Sequence, residues 1–155
     1  MIVIESDNNI STNHFRSMSQ ILGSDFIPSD IESTFDFITI AGQGIHAKVI
    51  RNFSQHFDIP RDQMAQFMNV SEPTIYRWIK SNKVLDRHHS VQLLELTDLF
   101  LFGISVLEDQ ENFFKWLELN NAALGGLKPL DLLDLPGGLD KVRDVLGRME
   151  YGVYS

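Results

Sequence analysis

From Ile45 to Met149 apolar side chains return every three or four residues, in one segment after another, with Gly, Pro, Ser or Asp between the segments. A recurrence of that period places the apolar groups on one face of an α-helix, and a succession of such faces is buried by packing helix on helix. Ile45, Val49, Ile50, Phe53 and Phe57 form the first run, which Asp58 and Pro60 close. RDQMAQFMNV then puts Met64, Phe67 and Met68 on one face, and EPTIYRWIKS follows Ser71 as a further helix. SVQLLELTDLFLFGISVL has the length and apolarity of a buried helix, and ENFFKWLEL repeats the pattern with Phe113, Phe114, Trp116, Leu117 and Leu119. In LDKVRDVLGRMEYG the stripe is Leu139, Val142, Val145, Leu146 and Met149. The fold class expected is all-α.

The remaining segments set the domain boundaries. Residues 1–43 mix IVI, the polar ESDNNISTN and FDFITIAGQG without a sustained period, and read as a partly flexible leader. Within it FDFITI either pairs as a short strand or packs as an apolar clip. Residues 44–92 form a DNA-reading module and residues 93–155 a second helical domain. In the latter, NNAALGGLKPLDLLDLPGG frames a short helix from about Leu130 to Leu133 with Gly125, Gly126, Pro129, Pro136, Gly137 and Gly138. The absence of cysteine removes disulfides and thiolate zinc sites, and no basic segment precedes an apolar core at the start, so the expected compartment is the cytoplasm. The apolar stretch from Leu99 to Leu107 is too short to span a bilayer, and no membrane partner is expected.

A helix-turn-helix is recognised by two short helices, a tight turn and a capped second helix, and MAQFMNVSEPTIYRWIK supplies all three. Ala65 permits close approach, Val70 fills the turn, Ser71 caps the second helix with Pro73 in its first turn, and Ile75 with Trp78 or Ile79 anchors it from behind. The outward face offers Ser71, Glu72, Thr74, Tyr76, Arg77 and Lys80 as DNA-contacting residues, with Arg able to address guanine or phosphate and Lys the backbone. Arg77 could instead hold the fold through a salt bridge beside an anchoring aromatic. The net charge of −8 argues against nucleic acid as a whole, yet residues 43–92 carry seven Lys and Arg against four acids, or +3, and the rest of the chain −11. A single recognition helix binds weakly, so a homodimer reading half-sites about one turn of DNA apart is expected, with its seam in the apolar helices after Ser90.

The segment from Trp116 to Ser155 resembles the toxin-binding domain of the Xre/ParS/MbcA-type antitoxins, which pair with RES-domain toxins in bacterial toxin–antitoxin operons. The resemblance rests on Asn121, Ala123, Leu124, Gly125 and Gly126, on the run Pro129 to Leu133, on Leu146-Gly147-Arg148 and on Glu150-Tyr151-Gly152. It implies a homodimeric antitoxin whose helix-turn-helix binds the operator DNA of its own operon and represses it. It also implies that the C-terminus enters the active site of a toxin similar to ADP-ribosyltransferases and occludes an NAD pocket. Arg148, Glu150, Tyr151, Gly152, Val153, Tyr154 and Ser155 match that inhibitory end. Tyr and Arg bury large areas with a polar tip, and Gly152 lets the chain turn into a cleft. Alternatively, Tyr151 and Tyr154 fold back onto the protein's own core.

No catalytic role, cofactor or metal is expected. His88 and His89 are adjacent and point about 100° apart on a helix, unlike an i, i+4 chelating pair. Asp131 and Asp134 lack a third partner, and Gly125-Gly126 and Gly137-Gly138 lack the strand-then-helix setting of a phosphate loop. The other reading is a stand-alone helix-turn-helix transcription regulator with a C-terminal effector- or partner-binding domain.

Overall fold

The computed structural model describes residues 14–28, 31 and 33–152, which form two compact units, Met1–Leu94 and Glu95–Ser155. The first unit holds helices α1 (residues 14–22), α2 (Thr34–Gln43), α3 (Lys48–Phe57), α4 (Arg61–Met68), α5 (Glu72–Lys80) and the opening turns of α6 (Arg87–Leu107). The second holds the rest of α6, α7 (Gln110–Leu117), two 3-10 turns at Ala122–Leu124 and Pro129–Leu132, and α8 (Gly138–Glu150). The all-α class is therefore the observed one. The extended pairings among the described residues are two isolated bridges, His46 with Val84 and Asn121 with Leu127.

The segment read as a flexible leader is, where described, part of the first unit's core. Met18, Leu22, Ile27 and Ile31 are buried, as are Val49, Ile50, Phe53 and Phe57 of α3. Two hydrogen bonds tie it down: Ser19 Oγ donates to the Ile27 carbonyl at 2.6 Å, and Asn52 Nδ2 of α3 donates to the Leu22 carbonyl at 2.7 Å. FDFITI is neither strand nor clip but the body of α2, which Ser33 caps by accepting from the Asp36 N–H at 3.3 Å. Residues 1–13 lie outside the described residues.

Ile45 also departs from expectation, because α3 opens only at Lys48. Ile45 lies in a short clamp instead: its carbonyl accepts from Leu85 N–H at 2.8 Å, Ala47 N–H donates to the Lys83 carbonyl at 2.8 Å, and its own N–H donates to the buried Ser90 Oγ at 3.1 Å. Gly44, at φ +86°, is required here because a Cβ would press on the Leu85 carbonyl. The clamp joins the segment before α3 to the one after α5 and so fixes the far end of the candidate recognition helix.

By length and composition α6 could cross a membrane, contrary to the shorter stretch read from sequence. Its residues Leu93, Leu94, Leu96, Leu99 and Phe100 are buried within the chain, which is the pattern of a core helix. Those are also the apolar residues in which the dimer seam was sought. In the second unit Phe100 meets Phe113 edge-on at 5.2 Å, and Leu117, Leu124, Leu133, Val142, Val145 and Leu146 complete the core. Gly103 lies flat against Phe113, where a Cβ would overlap the ring.

Candidate nucleic-acid and partner-binding sites

Helices α4 and α5 form the helix-turn-helix through local rules. Asn69 ends α4 in the left-handed conformation at φ 55°, its N–H reaching the Ala65 and Gln66 carbonyls, and Val70 N–H returns to Ala65 at 3.1 Å. Ser71 then opens α5, its Oγ accepting from Thr74 N–H at 3.2 Å and lying 2.8 Å from Thr74 Oγ1. Removing that cap by Ser71→Ala should lower the stability of the first unit by about 1 kcal/mol, measurable as a shifted urea midpoint. Ala65 and Ile75 are buried and Val70, Trp78 and Ile79 half-buried, so α5 turns its apolar side inward.

Glu72, Tyr76, Arg77 and Lys80 are exposed on α5, with Ser71 exposed at its cap and Thr74 half-buried. Arg77 Nη2 donates to Thr74 Oγ1 at 3.2 Å and enters no ion pair among the described residues. Lys80 Nζ lies 5.1 Å from the centre of the Tyr76 ring, and Lys83 Nζ lies 5.0 Å from that of Trp78. Behind them Trp78 packs edge-on to His89 at 4.9 Å. The His89 N–H donates to Asp86 Oδ1 at 2.8 Å and holds that carboxyl below its usual range. His89 thus braces a helix start while His88 is exposed; no group of three potential metal ligands occurs among the described residues.

The sequence reading missed two cations that the fold brings to the same face. A groove of about 440 Å³ runs between α3, α4 and α5, floored by Ile50, Met64, Ile75 and Ile79 and edged by Arg51, Arg61 and Lys80. Arg51 and Gln55 lie one turn apart, opposite the Val49 and Phe53 stripe, which is the signal that locates them. The module therefore presents basic groups from three helices around α5.

In the second unit α8 begins after Gly137, at φ +73°, and its inner face carries Val142, Val145 and Leu146. Arg143 pairs with Asp98 of α6 and lies 5.2 Å over the Phe102 ring; burial draws its guanidinium below the ordinary value while Glu95 opposes the shift. Arg148 is exposed, its Nε donating to the Asp144 carbonyl at 3.5 Å, and Glu150 is exposed at the helix end. Tyr151 is 82% exposed, so its ring is not folded onto the core. Gly152 follows at φ +74°, a bend that favours glycine, with its N–H on the Met149 carbonyl at 3.1 Å. Val153, Tyr154 and Ser155 lie outside the described residues.

Two known domain families match this chain in succession. Residues 36–100 match the antitoxin Xre-like helix-turn-helix domain, and residues 102–152 match the antitoxin Xre/MbcA/ParS C-terminal toxin-binding domain. The chain is also 25% identical over 136 residues to the Prs ADP-ribosylating antitoxin of Sphingobium sp. (strain YBL2), an alignment covering 79% of this chain and 83% of that protein. With a capped helix-turn-helix followed by the toxin-binding domain, the chain belongs to the Xre/MbcA/ParS-type antitoxins of toxin–antitoxin systems.

Proposed function

We propose that this antitoxin neutralises a RES-domain toxin by inserting its C-terminus into the toxin's active site, and that as a homodimer it represses its own operon through α5. The exposed, bend-terminated end of α8 carries the reading: Arg148, Glu150 and Tyr151 project outward at the point where Gly152 redirects the chain. Val153, Tyr154 and Ser155 continue that end in sequence. The relative is named for ADP-ribosylation, a reaction that consumes NAD, which supports an NAD-using partner whose pocket the tail occludes. The Glu150 carboxylate suits cationic groups that otherwise hold a pyrophosphate.

On the DNA side, Ser71, Glu72, Thr74, Tyr76, Arg77 and Lys80 form the reading face, and Arg51 and Arg61 add phosphate-binding charge from the neighbouring helices. The presence of two compact units supports such a division of the two jobs. The test for the tail is deletion of residues 151–155 in cells co-expressing the RES-domain toxin proposed as its partner. The full chain should restore growth and the truncated chain should not, with toxin affinity reduced at least ~100-fold. Undiminished rescue by the truncated chain would exclude the tail mechanism.

A further inference from the structure

Arg143 and Gly147 stand one turn apart on α8 and Tyr151, its C-cap, follows four residues on, so the row is large on either side and empty in the middle. The gap opens into a depression of about 400 Å³ that also includes Phe102 of α6 and Arg148. Glycine is a poor choice inside a helix unless something excludes a side chain. Elsewhere the chain shows such reasons: Gly138 abuts the Leu132 carbonyl, Gly103 abuts Phe113, and Gly125, Gly126 and Gly137 have positive φ. Gly147 has neither, since among the described residues a Cβ there would meet nothing within 4 Å and its φ is helical. Among the described glycines only Gly42, in the last turn of α2, shares that condition.

We propose that the notch at Gly147 receives an apolar side chain of the toxin, held between Arg143 and Tyr151 and against Phe102. The inference rests on the reading of this end of the chain as toxin-binding, and it moves part of the contact off the tail onto the helix face. The occupant follows from position and chemistry. Every residue of the notch lies inside the 102–152 match to a toxin-binding domain, and Tyr151 joins the notch to the tail. Its lining is mostly apolar, from the Phe102 and Tyr151 rings and the stems of Arg143 and Arg148, with Asp144 and Glu150 also lining it. Arg143 is fixed by Asp98 and Phe102, so it is a rigid wall and not a free cation seeking an acid. A branched or aromatic side chain entering here buries apolar area on both sides, and the exposed Tyr151 ring closes over it.

Gly147→Ala and Gly147→Leu test this in the full chain against the purified RES-domain toxin proposed as its partner. Both residues are good helix formers directed into open space, so neither variant should melt below the parent. Alanine should weaken toxin binding about 3- to 10-fold and leucine at least ~50-fold, because a filled notch excludes the incoming side chain. Leucine binding within twofold of the parent would overturn the proposal. So would a lowered melting temperature, which would mean the chain itself occupies the space. A 151–155 deletion that abolishes binding while Gly147→Leu does not removes the notch and keeps the tail mechanism; if neither matters, both fall.

Discussion

Replacing Arg77 and Lys80 together by alanine is expected to weaken binding to a promoter fragment at least ~100-fold at fixed salt, since a direct base contact and a phosphate contact are each worth about 1–3 kcal/mol. Both side chains are exposed on α5, and their recorded contacts are local: Arg77 to Thr74 and Lys80 over the Tyr76 ring. The fold should therefore lose no more than about 0.5 kcal/mol. Anisotropy of a labelled fragment measures the first effect and thermal melting the second. The salt dependence of binding should become shallower as well, because ions are released from fewer phosphates. Toxin neutralisation should persist in the double variant. Were it lost along with DNA binding and stability, these residues would be structural and α5 would not be the reading face.

Gly138→Ala should have the largest effect on stability. Gly138 is the first residue of α8, and an added Cβ would overlap the backbone carbonyl of Leu132 in the preceding 3-10 turn. A backbone group cannot rotate aside as a side chain can, so α8 must lift away from the turn on which it packs. The cost is about 3 kcal/mol, the upper end for overpacking. Because α8 carries Val142, Val145 and Leu146 in the second unit's core, that unit should melt early and lose toxin binding. Calorimetry should show the change, and promoter binding by the first unit should survive. An unaltered melt would show that the turn before α8 yields more easily than its backbone contact implies.

What could be read from the sequence followed from how local the determinants were. The helix-turn-helix is specified within a few residues of itself, by Asn69 at a left-handed position, Ser71 as cap and Ile75 turned inward, and all of that is written in MNVSEPTIYRW. The exposed face of α5 follows from the same register. The early helices are held by distant partners instead, Leu22 by Asn52 and Ile27 by a serine hydroxyl, in a stretch rich in polar residues that resembles a loop. FDFITI has the β-branched and aromatic residues of a strand, but its cap at Ser33 starts a helix and tertiary context overrides propensity. Ile45 matched a helical spacing by coincidence, its backbone being claimed by Leu85 and Ser90. The candidate sites divide similarly: the α5 face and the end of α8 were legible, whereas Arg51, Arg61, Phe102 and the gap at Gly147 join them only once helices pack.

On the function proposed above, the two units carry separable tasks and the C-terminus inhibits a RES-domain toxin. Competition for NAD on that toxin tests this most directly. Titrating the full chain into the RES-domain protein should displace NAD or a non-reactive NAD analogue stoichiometrically, and the chain lacking residues 151–155 should not. A complex of toxin and full-length antitoxin that binds NAD with undiminished affinity would contradict the account.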